Sequence, residues 1–352
     1  MTHLDTFTVA QQRSDQLAEA IAGNPSGYRL LTGDRPTGHL HIGHYVASLR
    51  NRVALQDLGV DTFVLIADYQ VITDREAVGR VREFTLSSVA DHLAAGIDPA
   101  RSTIFTHSAV PALNQLLVPF LALVTVPELE RNPTVKEELA ASGRALSGLL
   151  LTYPVHQAAD ILFCKANVVP VGRDQLPHVE QTRVIARRFN QRFAAGREVF
   201  PEPVALLSAT PLILGLDGAK MSKSRGNALE LRAGADETAA AIRAARTDSD
   251  RVIAYDPENR PEVANLLMIA AAFTGEDPVV IADHLGDRGA SALKALVIDA
   301  VNDGLHPLRV RRTELMNDPQ TLVGILQAGN ERANAVAERT LAEVRTVMGM
   351  GN

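Results

Sequence analysis

The sequence predicts an α/β protein in which a doubly wound parallel sheet is followed by an all-helical region. Short apolar runs typical of buried strands alternate with helical segments through the first half of the chain, and glycine-rich turns join them. Strands and helices that alternate in this way form parallel sheets with right-handed crossovers. Beyond about Leu231 the strands stop, and alanine-rich helical segments separated by Asp-Pro and Gly continue to the C-terminus.

The predicted elements follow one another in order. A polar helix over 8–22 ends at the stop signal Gly-Asn-Pro-Ser-Gly. Apolar runs predict strands over residues 28–32, 60–67, 102–106 and 167–171. Longer segments predict helices over residues 41–57, 74–95 and 173–192, and two further helical segments from 111 to about 162. We therefore expect a helical extension over 1–27, an α/β domain with a helical insertion over 28–230 and a helical domain over 231–352.

Composition narrows the possible functions. The chain has 352 residues and a net charge of −6, so its total charge is not that of a nucleic-acid binder. Its single cysteine, Cys164, rules out an internal disulfide and a cysteine-based zinc cluster and fits a reducing compartment. No apolar run approaches the roughly 20 residues of a membrane span. The acidic N-terminal segment lacks the apolar core of a secretory signal. We therefore expect a cytoplasmic protein that does not cross a membrane.

A glycine-rich turn follows the first predicted strand, with the sequence Gly-Asp-Arg-Pro-Thr-Gly-His-Leu-His-Ile-Gly-His over 33–44. Such a turn before a helix N-terminus suits a phosphate. It matches neither common phosphate loop, which argues against P-loop kinases and dinucleotide-dependent dehydrogenases. His41 and His44 share one helix face and could donate to phosphate oxygens, while Gly43 would let a planar base approach the backbone. A metal half-site or two surface histidines are the alternatives.

A second segment combines glycines with lysines, although the chain uses lysine rarely. Only five of its 35 basic residues are lysines, and two of these, Lys220 and Lys223, lie in Gly-Leu-Asp-Gly-Ala-Lys-Met-Ser-Lys-Ser-Arg-Gly-Asn over 215–227. A segment with this many turn-forming residues is predicted to be a mobile loop, and a mobile basic loop can close over a triphosphate. A solvated basic turn is the ordinary alternative, but it does not explain why lysine occurs there twice.

A third pattern places Tyr153, Gln157 and Asp160 on one face of a predicted helix, at positions i, i+4 and i+7. Apolar residues follow, so this polar stripe is expected to face a polar partner in dry surroundings, where a buried Asp needs a hydrogen-bond donor. A cluster satisfied within the protein is the alternative. The strand over 167–171 then leads into polar residues at the sheet edge where doubly wound folds bind ligands, namely Gly172, Asp174, Gln175 and His178.

Two of these segments carry the signature motifs of class I aminoacyl-tRNA synthetases. His-Ile-Gly-His at 41–44 and Lys-Met-Ser-Lys-Ser at 220–224 are complete copies, in the right order and about 180 residues apart. Within that class the chain resembles the bacterial tryptophanyl-tRNA synthetases from residue 28 onward. The supporting stretches are residues 36–38, 48–50, 153–154, 158–162, 169–172, 174–175, 178, 188–190 and 307–309.

The resemblance implies a Rossmann-like class I catalytic domain over 28–230 and an anticodon-binding domain over 231–352. It implies that the protein activates L-tryptophan with ATP, releases pyrophosphate and aminoacylates tRNA(Trp). Mg²⁺ would bridge the phosphates, as hard oxygens prefer, and no metal would be held by the protein alone. A twofold homodimer is also expected from the family. The clearest basic cluster of the helical domain is Arg309, Arg311 and Arg312, which either contacts tRNA or forms a solvated helix face.

The resemblance also assigns roles to residues. The catalytic residues would be His41, His44, Lys220 and Lys223. The ATP-binding residues would be Gly33, Arg35, Thr37, Gly38, His41, Gly43, His44, Lys136, Gly172, Asp174, Lys220, Met221, Ser222, Lys223 and Ser224. The tryptophan-binding residues would be Tyr153, Gln157, Asp160, Gln175, Gln70, Val169 and Val171. In the family, residues matching Tyr153 and Gln175 hold the substrate ammonium, and the residue matching Asp160 accepts the indole N–H.

The chain departs from the family at three positions. Gln70 stands where many bacterial members have His, Gln157 where Met is usual, and Glu138 where a second lysine accompanies Lys136. This pattern resembles the divergent second form of the enzyme that some bacteria carry beside a housekeeping copy, whose members are often associated with tolerance to indole-based inhibitors. We hypothesise the same tolerance here.

Three alternatives stay open. Tyr-x-x-x-Gln-x-x-Asp is also the pattern with which tyrosyl-tRNA synthetases hold a phenol hydroxyl, and an Asp with a Gln suits a phenol at least as well as an indole. A non-catalytic paralogue would bind tryptophan as a regulatory module, although complete signature motifs argue against this. A small nucleotidyltransferase of the His-x-Gly-His type is disfavoured because such proteins lack the lysine loop and a large helical domain.

Overall fold

A computed structural model describes residues 6–73, 79–142, 145–208, 213–221 and 225–351, with all of their side chains except those of residues 6, 73, 138, 141 and 142. Ser222, Lys223 and Ser224, which the sequence places in the ATP site, lie outside the described residues.

A parallel sheet forms the centre of the molecule. Its strands are β1 (Arg29–Asp34), β2 (Asp61–Ile66), β3 (Ser102–Thr106), β4 (Val168–Val171) and β5 (Val204–Leu207), in the spatial order β3-β2-β1-β4-β5. The chain moves from β1 toward β2 and from β4 toward β5, in opposite directions along the sheet. The sheet is therefore doubly wound, and the predicted fold class is confirmed.

Helices account for most of the remaining described structure. They are α1 (Thr6–Gly23), α2 (Ile42–His44), α3 (Arg50–Leu58), α4 (Val81–Ala95), α5 (Pro111–Gln115), α6 (Leu117–Leu121), α7 (Val126–Glu130), α8 (Pro133–Ser142), α9 (Gly148–Leu162), α10 (Leu176–Phe193), α11 (Ala235–Ala244), α12 (Pro261–Thr274), α13 (Pro278–Leu285), α14 (Gly289–Asn317) and α15 (Pro319–Val347). Short 3-10 turns lie at Pro25–Gly27, Asp68–Thr73 and Arg173–Gln175, and a π turn over Tyr45–Leu49 joins α2 to α3.

The strands are apolar on both faces because helices cover both faces. In β2, Phe63 belongs to a core cluster that includes residues of α5, α9 and α10, whereas Val64 packs into a cluster with residues of α4. Successive side chains of a strand point to opposite faces of the sheet. The continuous apolar run that predicts this strand therefore reflects burial on both faces.

The chain's first and last helices cover the two edges of the sheet. Leu207 N–H of β5 donates to Ser14 Oγ of α1 at 2.8 Å. On the opposite edge, Thr106 N–H of β3 donates to Asn330 Oδ1 of α15 at 3.0 Å. A Cβ at Gly329 would lie 1.8 Å from the Ile104 carbonyl oxygen, so only glycine allows α15 to approach β3 this closely. These contacts give one backbone N–H of each edge strand a partner within the chain.

The structure differs from the predicted elements at several places. Five helices, α5 to α9, lie between 111 and 162, where two segments were predicted, and a π turn over Tyr45–Leu49 interrupts the helix predicted over 41–57. The helix predicted over 74–95 begins at Val81, because Gly79 has a φ of 103° and breaks the helical path before it; residues 74–78 are outside the described ranges. Strand β5 was not predicted, because it has only 4 residues and its apolar run follows a proline-containing segment.

Helices α11 to α14 share a separate apolar core with the glycine-rich turn of the sequence. Leu267 of α12 and Val301 of α14 belong to the same buried cluster as Ile42 and Met221. The helical region therefore packs directly on the turn after β1. Within the described residues no single helix has the length and apolar composition to cross a membrane, and α12 and α13 meet that test only as a pair bent by 110°.

Candidate active site

A cavity of about 470 Å³ opens at the carboxyl ends of β1, β2 and β4. The register between β1 and β4 joins Leu30 to Val168, near the start of both strands. The direction of the chain reverses between these two strands, and doubly wound sheets bind ligands at such a reversal. The fold thus places the cavity where the sequence predicts the site.

The turn after β1 brings His41 and His44 together. The His41 side chain accepts from the backbone N–H of His44, while His44 Nδ1 accepts from the backbone N–H of His41 at 3.3 Å. The two ring centroids are 3.8 Å apart. His41 is buried and His44 lines the cavity. Two imidazoles at the start of a helix can donate to an anion there.

Gly43 brings the turn into contact with the lysine-containing segment, residues 215–227, which we call the signature loop. A Cβ at Gly43 would lie 3.0 Å from two atoms of the His41 ring and 3.5 Å from Met221 Sδ. Ile42 N–H donates to the Leu229 carbonyl oxygen at 2.9 Å, which aligns the segment after the loop with the turn. The two signature motifs therefore meet at Gly43.

The signature loop is fixed at its base. Asp217 accepts from Asn227 Nδ2 at 2.7 Å and from Ala219 N–H at 3.0 Å, and these bonds hold the pKa of Asp217 below its usual value. Asn265 of α12, which is buried, accepts from Leu214 N–H at 2.8 Å. Lys220 is exposed to solvent. The described part of the loop thus combines an anchored base with an exposed ammonium group.

Tyr153 and His178 form one polar wall of the cavity. The Tyr153 hydroxyl lies 3.2 Å from His178 Nε2. Burial lowers the pKa of His178 to about 4, against the opposing charge of Asp174, so His178 is neutral at pH 7. The Tyr153 O–H can donate a hydrogen bond to Nε2 of a neutral His178, which leaves the hydroxyl oxygen as an acceptor toward a ligand.

Asp160 has a partner that the sequence does not reveal. His107 Nε2, which follows β3, donates to Asp160 Oδ1 at 2.8 Å, and both side chains are buried. Burial opposes protonation of His107, but Asp160 and Asp68 outweigh burial and raise the pKa of His107. His107 thus supplies a donor to Oδ1 of Asp160. Among the described residues no hydrogen bond to Asp160 Oδ2 is seen, and Asp160 lines the cavity, so Oδ2 can accept from a ligand there.

A second buried ionic group lies below the turn. Asp34, at the end of β1, pairs with the Arg52 guanidinium, and His92 Nε2 lies 3.1 Å from Asp34 Oδ2. Burial opposes ionisation of Asp34, but Arg52 and His92 hold the pKa of Asp34 well below its usual value. This group ties the end of β1 to α3 and α4, and so fixes the turn that follows.

The cavity brings together some of the residues assigned from the sequence and not others. Its lining includes Gly33, Arg35, His44, Gln70, Tyr153, Gln157, Asp160, Val169, Val171, Gly172 and Gln175. Outside that lining are Thr37, Gly38, His41, Gly43, Lys136, Asp174, Lys220 and Met221. All residues of the tryptophan set therefore line the cavity, whereas much of the ATP set lies outside its lining.

Comparison with known proteins agrees with this geometry. The family model of the class I tRNA synthetases for tryptophan and tyrosine matches residues 25–303. A tryptophan–tRNA ligase of Streptococcus pyogenes serotype M1 is 40% identical over 332 residues, which cover 91% of this chain and 98% of that protein. A tryptophan–tRNA ligase of Clostridium longisporum is 41% identical over 332 residues, covering 91% of this chain and 96% of the relative.

A solved structure matches over the same extent. Tryptophanyl-tRNA synthetase from Campylobacter jejuni, complexed with ADP and tryptophan, is 31% identical, with a TM-score of 0.79, and covers 91% of this chain and 99% of its own. The chain belongs to the class I tRNA synthetases for tryptophan and tyrosine. It is therefore an aminoacyl-tRNA ligase, and its resemblance to the tryptophanyl-tRNA synthetases is confirmed.

The structure adds residues of this synthetase that the sequence assignments missed. They are Asp34, Arg52, Asp68, His92, His107 and His156, which surround the cavity or support its lining. One signal was available in the sequence. Asp68 and His107 each follow a buried strand directly or within two residues, and the carboxyl ends of neighbouring parallel strands meet at one sheet edge.

Proposed function

We propose that this cavity activates L-tryptophan with ATP to tryptophanyl-adenylate and pyrophosphate, and that the protein then transfers the tryptophanyl group to tRNA(Trp). The observation that carries the proposal is the buried carboxylate of Asp160, which lines the cavity between the ends of β1 and β4. An indole N–H is a donor only, and a fixed carboxylate oxygen is the acceptor it requires.

The residues around Asp160 fit the rest of an amino-acid substrate. The Tyr153 hydroxyl, oriented by His178, and the Gln175 side-chain carbonyl offer acceptors to the substrate ammonium. Val169 and Val171 supply apolar wall for the indole, and the amides of Gln70 and Gln157 complete the lining. We call this part of the cavity the amino-acid end.

The opposite part, which we call the nucleotide end, comprises the turn over 33–44 and the signature loop. A carboxylate oxygen of tryptophan attacks the α-phosphorus of ATP, the bond to the bridging oxygen breaks, and pyrophosphate leaves with the bond electrons. His41 and His44 donate to the phosphates, and Lys220 and Lys223 neutralise the departing pyrophosphate. Positioning and charge stabilisation suffice for this step, so no protein nucleophile takes part.

Mg²⁺ enters this scheme with the nucleotide. The phosphate oxygens are hard ligands of the kind that Mg²⁺ prefers, and the ion neutralises their charge when it is bound. At the nucleotide end, the described residues present histidines, Lys220 and backbone groups, together with the carboxylates of Asp34 and Asp217, which already pair with Arg52 and Asn227. That donor set fits an ion carried mainly by the substrate.

We assign tRNA binding to the helical domain over 231–352, with the anticodon contacts among α11 to α14. The basic cluster expected there is largely turned inward. Arg309 donates to Asn302 Oδ1 at 2.7 Å, and Arg312 donates to Asp91 Oδ1 at 2.5 Å. Arg311 is exposed and is the member of this cluster that faces solvent. Anticodon contacts therefore involve other exposed groups of these helices as well.

The assembly that we propose is a homodimer in the cytoplasm, where ATP and tRNA are present. Two exposed valines of the helical insertion support it, namely Val118 of α6 and Val126 of α7, which are 72% and 55% exposed. The two valines are eight positions apart in the sequence, and an exposed apolar patch that they shared would favour an interface with another chain. The mass of the protein in solution tests the homodimer.

The deciding experiment is amino-acid-dependent ATP–pyrophosphate exchange with tryptophan and tyrosine side by side, followed by aminoacylation of tRNA(Trp). We expect tryptophan to support exchange, with tyrosine weaker in kcat/KM by on the order of a thousand-fold. Tyrosine is a real competitor because Gln157 and Asp160 lie together in the cavity, as a phenol hydroxyl would require. Exchange with tyrosine alone would make the protein a tyrosine enzyme, and tryptophan binding without exchange would make it a non-catalytic binding module.

A further inference from the structure

A cluster of three buried titratable groups lies at the amino-acid end. His107 follows β3, and His156 and Asp160 lie one turn apart on α9. One ligating atom of each lies within 4.8 Å of the others. Such a group can serve as a metal site or as a hydrogen-bonding device, and the contacts of His156 decide between the two.

Both ring nitrogens of His156 are engaged by side chains. Gln70 Nε2 donates to His156 Nδ1 at 3.0 Å, and His156 Nε2 lies 2.8 Å from Asn114 Oδ1. The Asn114 amide orientation is set independently, since its Nδ2 donates to the carbonyl oxygens of His107 and Val110. His156 therefore donates from Nε2 and accepts at Nδ1, which leaves no lone pair for a metal ion.

His107 differs from His156 because carboxylates face it. Its Nε2 lies 2.8 Å from Asp160 Oδ1, and an ionised carboxylate only accepts, so Nε2 carries the proton. Its Nδ1 lies 4.0 Å from Asp68 Oδ1. Asp68 is itself fixed by Ser108, whose N–H donates to Asp68 Oδ1 at 3.1 Å. The groups facing His107 are thus Asp68, Asp160 and His156.

The His107 ring is also held mechanically. Its centroid lies 6.0 Å from the Tyr69 ring in a stacked arrangement and 4.6 Å from the His156 ring. A ring held by two neighbours presents its N–H in one direction. The carboxylate torsion of an Asp is otherwise broad, so a fixed donor at Oδ1 sets where Oδ2 lies.

We propose that His107 is a positioning residue for substrate recognition, which fixes the Asp160 carboxylate through Oδ1 so that Oδ2 meets the indole N–H. This inference rests on the proposed function, in which Asp160 accepts that N–H. Without the His107 donor, Asp160 is a buried charge that loses both a hydrogen bond and a compensating group. The carboxylate is then free to rotate, so Oδ2 is no longer held toward the indole N–H and becomes a poorer acceptor.

The test compares two substrates that differ only at the recognised group. Tryptophan carries the indole N–H, whereas 3-(3-benzothienyl)alanine has sulfur in its place and cannot donate. KM and kcat for both are measured by ATP–pyrophosphate exchange with the native protein and with His107→Ala, His107→Gln and Asp160→Asn. Gln is the matched variant because its Nε2 can replace the lost donor.

We expect His107→Ala to raise KM for tryptophan about ten-fold, with a smaller change in kcat and less than about two-fold change in KM for the benzothienyl analogue. His107→Gln should recover most of the loss. Equal increases in KM for both substrates, or no effect on tryptophan, would overturn the proposal. If Asp160→Asn leaves the ratio of the two KM values unchanged, the assignment of Asp160 fails as well. If only His107→Ala leaves it unchanged, the role of His107 alone fails.

Discussion

The amino-acid end and the nucleotide end of this synthetase are built in opposite ways. At the amino-acid end, Asp160, His107 and His156 are 4%, 0% and 6% exposed and bond to one another and to neighbouring amides. At the nucleotide end, Arg35 and Lys220 are exposed to solvent. The recognition groups of the amino-acid end are thus buried and hydrogen-bonded, whereas the charged groups of the nucleotide end are exposed to solvent.

The difference follows from what each end must bind. The tryptophan side chain is neutral, so selectivity for it depends on a dry pocket with a fixed hydrogen-bond acceptor. In a low dielectric a misplaced acceptor loses more binding free energy than it would in water. Pyrophosphate carries charge that changes position during the reaction. Exposed ammonium groups can follow that charge with little desolvation. Substitutions at the nucleotide end should therefore lower kcat, and substitutions at the amino-acid end should raise KM for tryptophan.

The strongest test of this comparison is the double variant Lys220→Arg/Lys223→Arg. Arginine keeps the charge, but its planar fork has a different reach and geometry from an ammonium group. We expect the maximal rate of ATP–pyrophosphate exchange to fall about 100-fold, with KM for tryptophan within about three-fold of native. Lys165→Arg is the matched control, because Lys165 pairs with Glu343 at 2.5 Å, precedes the amino end of β4 and does not line the cavity. Native exchange rates in the double variant would show that the lysine cluster has no special role.

A smaller effect is expected where the two signature motifs meet. In Gly43→Ala the new Cβ would lie 3.0 Å from the His41 ring, and its other neighbour is Met221. Overpacking of this kind costs about 1–3 kcal/mol, so the exchange rate should fall about ten-fold while KM for tryptophan stays near native. Gly324→Ala is the control, because nothing lies within 4 Å of its added Cβ on α15. A larger change in KM for tryptophan than in the exchange rate would contradict the assignment of rate effects to the nucleotide end and KM effects to the amino-acid end.

The two ends also differ in how far the sequence predicts them. The helical spacing of Tyr153, Gln157 and Asp160 placed these side chains on one face of α9, and all three line the cavity. Local periodicity carries that information. The partner of Asp160 is 53 positions away, at His107, and nothing in the sequence around either residue indicates the pairing. Such long-range contacts depend on strand order, which local patterns do not specify.

The fold shows the same limit. Continuous apolar runs predicted β2 and β3 within one or two residues, because burial on both faces leaves a strong local signal. The short strand β5 and the covering of both sheet edges by α1 and α15 were not predicted. Gly329 illustrates the reason. A glycine inside a helical pattern gives no indication of which strand will approach it.

The smallest expected effect concerns Gln70 and Gln157, where the chain departs from its family. Both amides line the amino-acid end, and Gln70 Nε2 donates to His156 Nδ1 at 3.0 Å. Restoring the usual residues in Gln70→His/Gln157→Met replaces these amides with an imidazole and a thioether, which make closer contacts with an indole ring. We expect inhibition constants of indole-based inhibitors to fall about five-fold in this variant.

The single variants separate the two contributions, and tryptophan KM measured in parallel separates inhibitor tolerance from a general change in the pocket. If Gln70 and Gln157 confer tolerance, the two substitutions should change the inhibition constants more than KM for tryptophan. Neither substitution alters Asp160 or His107, which recognise the substrate. If the native protein is inhibited as strongly as the double variant, Gln70 and Gln157 do not confer tolerance. The Gln70 amide would then serve to hold His156, and selectivity at the amino-acid end would depend on the fixed Asp160 carboxylate.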